Sequence, residues 1–193
     1  MRGIELPAAA QGGDHWLTMD GSRLHALAED TRRLLCRDWS ERHLRLRHLM
    51  MLVLFHQFEG VRDAVRVAAL SPDAAAAGMR SDFGLGYLSG LVADYAETCG
   101  LPADGGIASA ARLDLHLFTF GLVEGQALLA TRDHVMQGDG FARGQVMAEW
   151  DVETYKAWLE GADDDPAQGL RDGLMRIAAA PGGLAKAAWV GWA

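Results

Sequence analysis

The sequence contains no asparagine, only two lysines and three isoleucines, but it contains sixteen arginines. Asn, Lys and Ile have AT-rich codons, so this bias indicates a GC-rich genome and predicts a bacterial source. Because codon bias raises the arginine content, an arginine in this chain is weak evidence for chemistry that needs a guanidinium group.

Cysteine and long apolar runs are also scarce. The two cysteines, Cys36 and Cys99, form no disulfide framework and match no metal-ligand spacing. No secretory signal is visible at the N-terminus. The longest uncharged apolar stretches, 49–58 and 83–93, are about half of the roughly 20 residues that a membrane-spanning helix needs. These features predict a cytoplasmic protein with no membrane span.

The net charge is −8, and all of the excess acid lies after residue 66, since residues 1–66 carry +1 and residues 67–193 carry −9. Such an acidic surface argues against nucleic-acid binding. An arginine-rich stretch crosses the predicted turn between the first two helices, which is the outline of a DNA-binding helix–turn–helix. The helix that follows is too apolar to lie in a groove, so we interpret this stretch as a solvated corner or a site for an acidic partner. It comprises Arg32, Arg33, Arg37, Arg42, Arg45 and Arg47.

Motifs that would identify an enzyme are missing. The sequence has no phosphate-binding loop, nucleophile elbow, dinucleotide fingerprint or zinc-ligand spacing. We therefore predict no cofactor, and a non-enzymatic role is favoured over a catalytic one.

Apolar residues recur at helical spacing along most of the chain, and no stretch alternates as a strand would. The sequence predicts an all-α, single-domain bundle of about six helices over 20–180. A flexible leader at 1–19 and a tryptophan-containing tail at 181–193 flank it. Ser71 and Pro72 form a helix-start signal, and Ser81 offers a second start inside the third helix. The predicted helices span approximately 22–37, 40–68, 71–99, 107–137, 141–160 and 165–180.

Three helices share the pattern Phe-x-x-Gly-x-x-x-small. Residues three and four apart lie on one helix face, so each set forms a smooth strip beside an aromatic ring. A glycine inside a helix costs about 1 kcal/mol relative to alanine, which close backbone contact would offset. We therefore predict close helix crossings, within one chain or across a dimer seam. Chance spacing, in a chain with 23 glycines, and close approach of a ligand are the alternatives. The three sets are Phe83, Gly86, Gly90; Phe118, Gly121, Gly125; and Phe141, Gly144, Ala148.

Ionisable residues interrupt two apolar stretches. His56 and Glu59 are three residues apart, and His116 and Glu124 are two turns apart on a single predicted helix. Buried charges are costly unless they are paired or bound to metal. If the two helices face each other, these four side chains form a candidate metal or catalytic site. The alternatives are a buried His–Glu pair or side chains that reach the surface.

Large aromatic residues are concentrated in the acidic C-terminal third, at Trp150, Trp158, Trp189 and Trp192. Exposed aromatics often anchor a partner protein or a second subunit, although the tail could also fold onto its own core.

Together these patterns predict a protein–protein interaction component, such as an adaptor, assembly or regulatory subunit of a bacterial cytosolic complex, with homodimerisation expected. The alternative is a helical-bundle metal protein or enzyme that uses the four His and Glu residues.

Overall fold

The computed structural model describes residues 14–18, 22, 26, 42–136, 138–162 and 165–180, and every regular element in them is helical. This confirms the predicted all-α bundle. The predicted first helix apart from residues 22 and 26, nearly all of the leader, and the tail at 181–193 with Trp189 and Trp192 lie outside the described residues. The helices described are α1 (His15–Thr18), α2 (Arg42–Arg66), α3 (Pro72–Arg80), α4 (Asp82–Thr98), α5 (Gly106–Phe120), α6 (Leu122–Val135), α7 (Asp139–Leu159) and α8 (Gly169–Ala179).

Helix α2 occupies the middle of the bundle and packs against α4, α5 and α8. Its residues from 49 to 55 are all buried, as expected of a helix that is apolar nearly all round at its centre. Gly60 does not interrupt α2. The Gln168 side chain packs against this position, where a β-carbon would clash with its amide. Trp16 of α1 stacks on Phe58 of α2, with ring centroids 4.2 Å apart.

The third predicted helix is two helices, α3 and α4, divided at Ser81. At the start of α3, Ser71 is the predicted N-cap: its Oγ accepts a hydrogen bond from the Ala74 amide at 3.1 Å, and Pro72 is the first helical residue. The chain turns sharply at Ser81, whose hydroxyl donates to the Gly78 carbonyl at 2.6 Å.

The helix predicted over 107–137 is also two helices, and here the prediction of one continuous helix was wrong. Gly121 has φ 78° and ψ 178°, a conformation that is essentially restricted to glycine. It ends α5 and lets α6 fold back along it. Gly125 then lies against the α5 backbone, where a β-carbon would be 2.6 Å from the His116 carbonyl oxygen. The second glycine set therefore lies where the chain reverses direction and does not form a strip on one helix.

The first and third glycine sets do form strips, and they face each other. A β-carbon on Gly86 would clash with the Phe141 carbonyl, and one on Gly144 would clash with the Phe83 carbonyl. At the next turn, a β-carbon on Gly90 would lie 2.8 Å from that of Ala148. Helices α4 and α7 consequently cross with their backbones in contact, and this pair forms the most extensive helix contact described. The predicted close crossing is thus found within one chain.

The aromatic residues of these sets are buried. Phe141 is fully buried at the crossing, and the ring of Phe83 packs against Gly173 of α8, where even a β-carbon would not fit.

Among the described residues, no helix combines the length and the apolar character needed to cross a bilayer.

Candidate functional site

A buried carboxylate on α7 lies at the junction of three helices. Asp151 is fully buried, and its two oxygens accept hydrogen bonds from the Tyr87 hydroxyl at 2.6 Å and from the Gly169 amide at 2.9 Å. Gly169 is the first residue of α8, so the carboxylate caps the N-terminus of that helix, where a negative charge is favourable. One side chain therefore connects α4, α7 and α8.

Burial controls the protonation of this group. Desolvation raises the pKa of Asp151 to about 6, although its hydrogen bonds from Tyr87 and from the backbone of Gly169 and Leu170 lower it. Burial, reinforced by the nearby Asp151 charge, also raises the pKa values of the Tyr87, Tyr95 and Tyr155 hydroxyls.

Polar side chains of α2 and α7 fix the segment that precedes α8. Gln57 is fully buried; its amide donates to the Ala167 carbonyl at 2.7 Å, and its oxygen accepts from the Leu170 amide at 3.1 Å. On α7, the Thr154 hydroxyl accepts from the Ala167 amide at 3.1 Å. These bonds satisfy the backbone groups at the start of α8, so we interpret the buried polar network as an anchor for that helix.

The four residues proposed as metal ligands do not come together. Gln168 donates to His56 Nδ1 at 2.9 Å, and burial lowers the pKa of that imidazole, which favours its neutral form. His116 is buried on α5, where its Nδ1 lies 2.9 Å from the Arg112 carbonyl. Glu59 lies on α2 in a surface groove beside Arg62.

Glu124 is engaged in a different cluster. Its carboxylate accepts two hydrogen bonds from Arg80, at 2.6 and 2.9 Å, and Arg80 also binds Asp14 at 2.8 Å. The bond to Glu124 is the main reason that the pKa of Arg80 rises. The break at Gly121 places His116 and Glu124 on different helices, which removes the geometric basis of the predicted pair. Across the part of the chain that is described, no three His, Cys, Asp or Glu side chains form a group that could hold a metal.

The two tryptophans of α7 have different environments. Trp158 packs against the core and contacts the Tyr155 ring edge-on, at a centroid distance of 6.0 Å. Trp150 is 51% exposed, and Val146, one turn earlier on the same face, is 59% exposed. Two further exposed residues extend this face of the helix: Arg143 lies towards the N-terminus of α7 and Glu153 towards its C-terminus. We call Arg143, Val146, Trp150 and Glu153 the outer row of α7.

A groove borders the N-terminal half of the outer row. It has a volume of about 370 Å³ and lies between α7 and α8, with the edge of the Phe83 ring in its wall. Two guanidinium groups, from Arg143 and Arg176, flank this mainly apolar surface. We call it the α7–α8 groove; its lining is Phe83, Ala142, Arg143, Val146, Met147, Gly173 and Arg176.

The surface beyond Trp150 carries the opposite charge. Asp94 of α4 is half-buried, and its pKa is raised to about 6, mainly by desolvation and next by the negative charge of Glu149; Glu97 and Glu153 act in the same direction. Lys156 lowers this pKa and forms an ion pair with Glu153 at 2.7 Å. The outer row is therefore basic at Arg143 and acidic at Glu153, while the exposed carboxylates of Asp82 and Asp139 lie near the start of α7.

Sequence reasoning missed Asp151 and the α7–α8 groove. The signal for Asp151 was its spacing from Ala148 and Tyr155, which places it on the buried face of α7. The groove had no comparable signal, because it depends on how α8 packs beside α7. Comparison with models of protein families, with curated proteins and with solved structures gives no match.

Proposed function

We propose that the protein acts by binding other protein chains, as an adaptor, assembly or regulatory subunit, and that the outer row of α7 with the α7–α8 groove is its contact surface. The observation that carries this proposal is the exposure of Val146 and Trp150 side by side next to an apolar groove. Single exposed apolar residues are common on protein surfaces, whereas a continuous patch beside a groove is typical of interaction sites.

The composition of the patch supports the same function. Tryptophan and arginine are the residues that most often dominate binding energy at protein interfaces, and this patch holds Trp150, Arg143 and Arg176. The buried network around Asp151 supports the surface from below, because it fixes α8 against α7 and so maintains the groove between them. We place this role in the bacterial cytosol, on the basis of the codon bias and the few cysteines.

Substituting the exposed apolar residues tests the proposal. We expect Val146→Asp and Trp150→Asp to remove the protein from the complexes that it forms in lysate of its source organism, since a carboxylate in an apolar contact is costly. The matched control is Val67→Asp, because Val67, the residue after α2, is 69% exposed. The measurement is the amount of each partner retained by tagged full-length protein, with the melting temperature as the check on folding.

The proposal fails if Val146→Asp and Val67→Asp retain the same partners in the same amounts. It also fails if the α7 variants lose their partners only in proportion to a loss of folded protein.

A further inference from the structure

The outer row of α7 has a symmetric spacing. Its residues, Arg143, Val146, Trp150 and Glu153, are separated by three, four and three positions. If two such helices are placed antiparallel with their midpoints at residue 148, Arg143 faces Glu153 and Val146 faces Trp150, each twice. Opposite charges thus meet at both ends, and apolar side chains meet in the centre.

The outer row carries opposite charges at its two ends. Arg143 lies at its N-terminal end, where Arg176 also flanks the groove, and Glu153 lies at its C-terminal end near Asp94. The two charged ends of the row are about 15 Å apart, at 1.5 Å of rise per residue. An antiparallel arrangement brings the basic end of one copy to the acidic end of the other, whereas a parallel arrangement would bring like charges together.

We propose that the occupant of this surface is a second copy of the same chain, joined through antiparallel packing of the two α7 helices about a two-fold axis near residue 148. This inference rests on the proposed function, because it names the partner of that surface. Two-fold interfaces are isologous, so each contact occurs twice. In this arrangement Trp150 of each copy lies over Val146 of the other, at the edge of the α7–α8 groove.

The groove gives the facing tryptophan an apolar surface to cover. Its lining includes Phe83 and Met147, and Val146 belongs to both the groove and the outer row. Tryptophans that enter pockets near the centre of an interface contribute most to binding. The ion pair between Lys156 and Glu153 is exposed, so Glu153 can turn towards the facing Arg143 at little cost.

Charge reversal tests this register directly. Arg143→Glu places two carboxylates opposite each other at both ends of the dimer, and Glu153→Arg places two guanidinium groups there. We expect each variant to weaken self-association about tenfold, because two attractive pairs become two repulsive ones. In an equimolar mixture of the two variants all four facing charges are complementary, so a heterodimer should form in preference to either homodimer.

Native mass spectrometry of the full-length chains resolves these species, and sedimentation at low ionic strength gives their dissociation constants. Matched controls are Arg66→Glu and Asp63→Arg on α2, which make the same charge changes at exposed positions away from α7. They should associate as the wild type does, and their mixture should show no preference for the heterodimer.

A wild-type chain that stays monomeric, single variants that associate as the wild type does, or a mixture that forms no heterodimer would each overturn the second-copy proposal. If the chain is monomeric but Val146→Asp still abolishes capture of another protein, the proposed function stands and only the identity of the occupant is wrong. If the chain dimerises and none of the α7 substitutions changes its dissociation constant, the proposed contact surface itself is wrong.

Discussion

At the scale of single residues, Asp151 shows how context misleads sequence interpretation. It lies between Glu149 and Glu153 in the acidic C-terminal third, where the sequence gives no sign that it differs from its neighbours in charge, yet its side chain is fully buried. His56 and His116 both interrupt long apolar runs, but they share no site: His56 accepts a hydrogen bond from Gln168, before α8, and His116 lies against the Arg112 carbonyl of its own helix. Distinguishing these cases requires the direction of each side chain, which depends on packing between helices.

We expect the pH dependence of stability to report on Asp151. Its pKa of about 6 in the folded protein lies above the usual value of 3.8, so the folded state holds this proton more tightly than the unfolded chain does. The contribution of this group to the free energy of unfolding therefore falls as pH rises from about 4 to about 6, and is level above that range. Chemical denaturation of wild type and Asp151→Asn over this range measures the difference, and the variant should show the flatter profile.

The effect is specific if Asp94→Asn, which removes the other carboxyl group with a similarly raised pKa, reduces the slope by a separate increment. An Asp151→Asn pH profile parallel to that of wild type would contradict the assignment of the raised pKa to Asp151.

Asp151→Ala should lower the free energy of unfolding by about 2 kcal/mol or more, because the Tyr87 hydroxyl and the Gly169 amide lose their acceptor.

At the scale of helices, the glycine pattern predicted a close helix crossing, but it did not show which of the three glycine sets take part in it. Residue spacing identifies which positions share a helix face, so the strips on α4 and α7 could be read directly from sequence. The same spacing at Phe118, Gly121 and Gly125 produced a chain reversal, because Gly121 adopts a positive φ. Spacing alone does not distinguish a glycine that permits close packing from one that permits a turn.

The crossing of α4 and α7 should be intolerant of a single methyl group. Gly86→Ala places a β-carbon against the Phe141 carbonyl, so the two backbones must separate. We expect the free energy of unfolding to fall by about 1–3 kcal/mol, the usual range for overpacking. Gly106→Ala on α5 is the matched control, because no atom lies within 4 Å of a β-carbon there; it should be neutral or slightly stabilising. Equal unfolding curves for both variants would exclude backbone contact at the crossing.

At the scale of the whole molecule, the all-α class and the central position of α2 could be predicted because each follows from the pattern within single segments: helical periodicity indicates the class, and a centre that is apolar nearly all round indicates a buried helix. The α7–α8 groove could not, since it is produced by two helices whose relative position is set by Asp151, Gln57 and Gly173. The outer row of α7 was visible in part: Trp150 was expected at an interaction surface, but the roles of Val146 and Arg143 required knowledge of which face of α7 is exposed.

Site-specific photo-crosslinking in cells tests most directly whether the protein works through this face of α7. A photoreactive phenylalanine derivative would replace Val146 in one version of the full-length protein and Val67, which is also highly exposed, in another. We predict a discrete protein adduct at position 146, with the mass of two copies of this chain, and no such adduct at position 67. Adducts of equal yield at both positions, or none at position 146, would contradict the account.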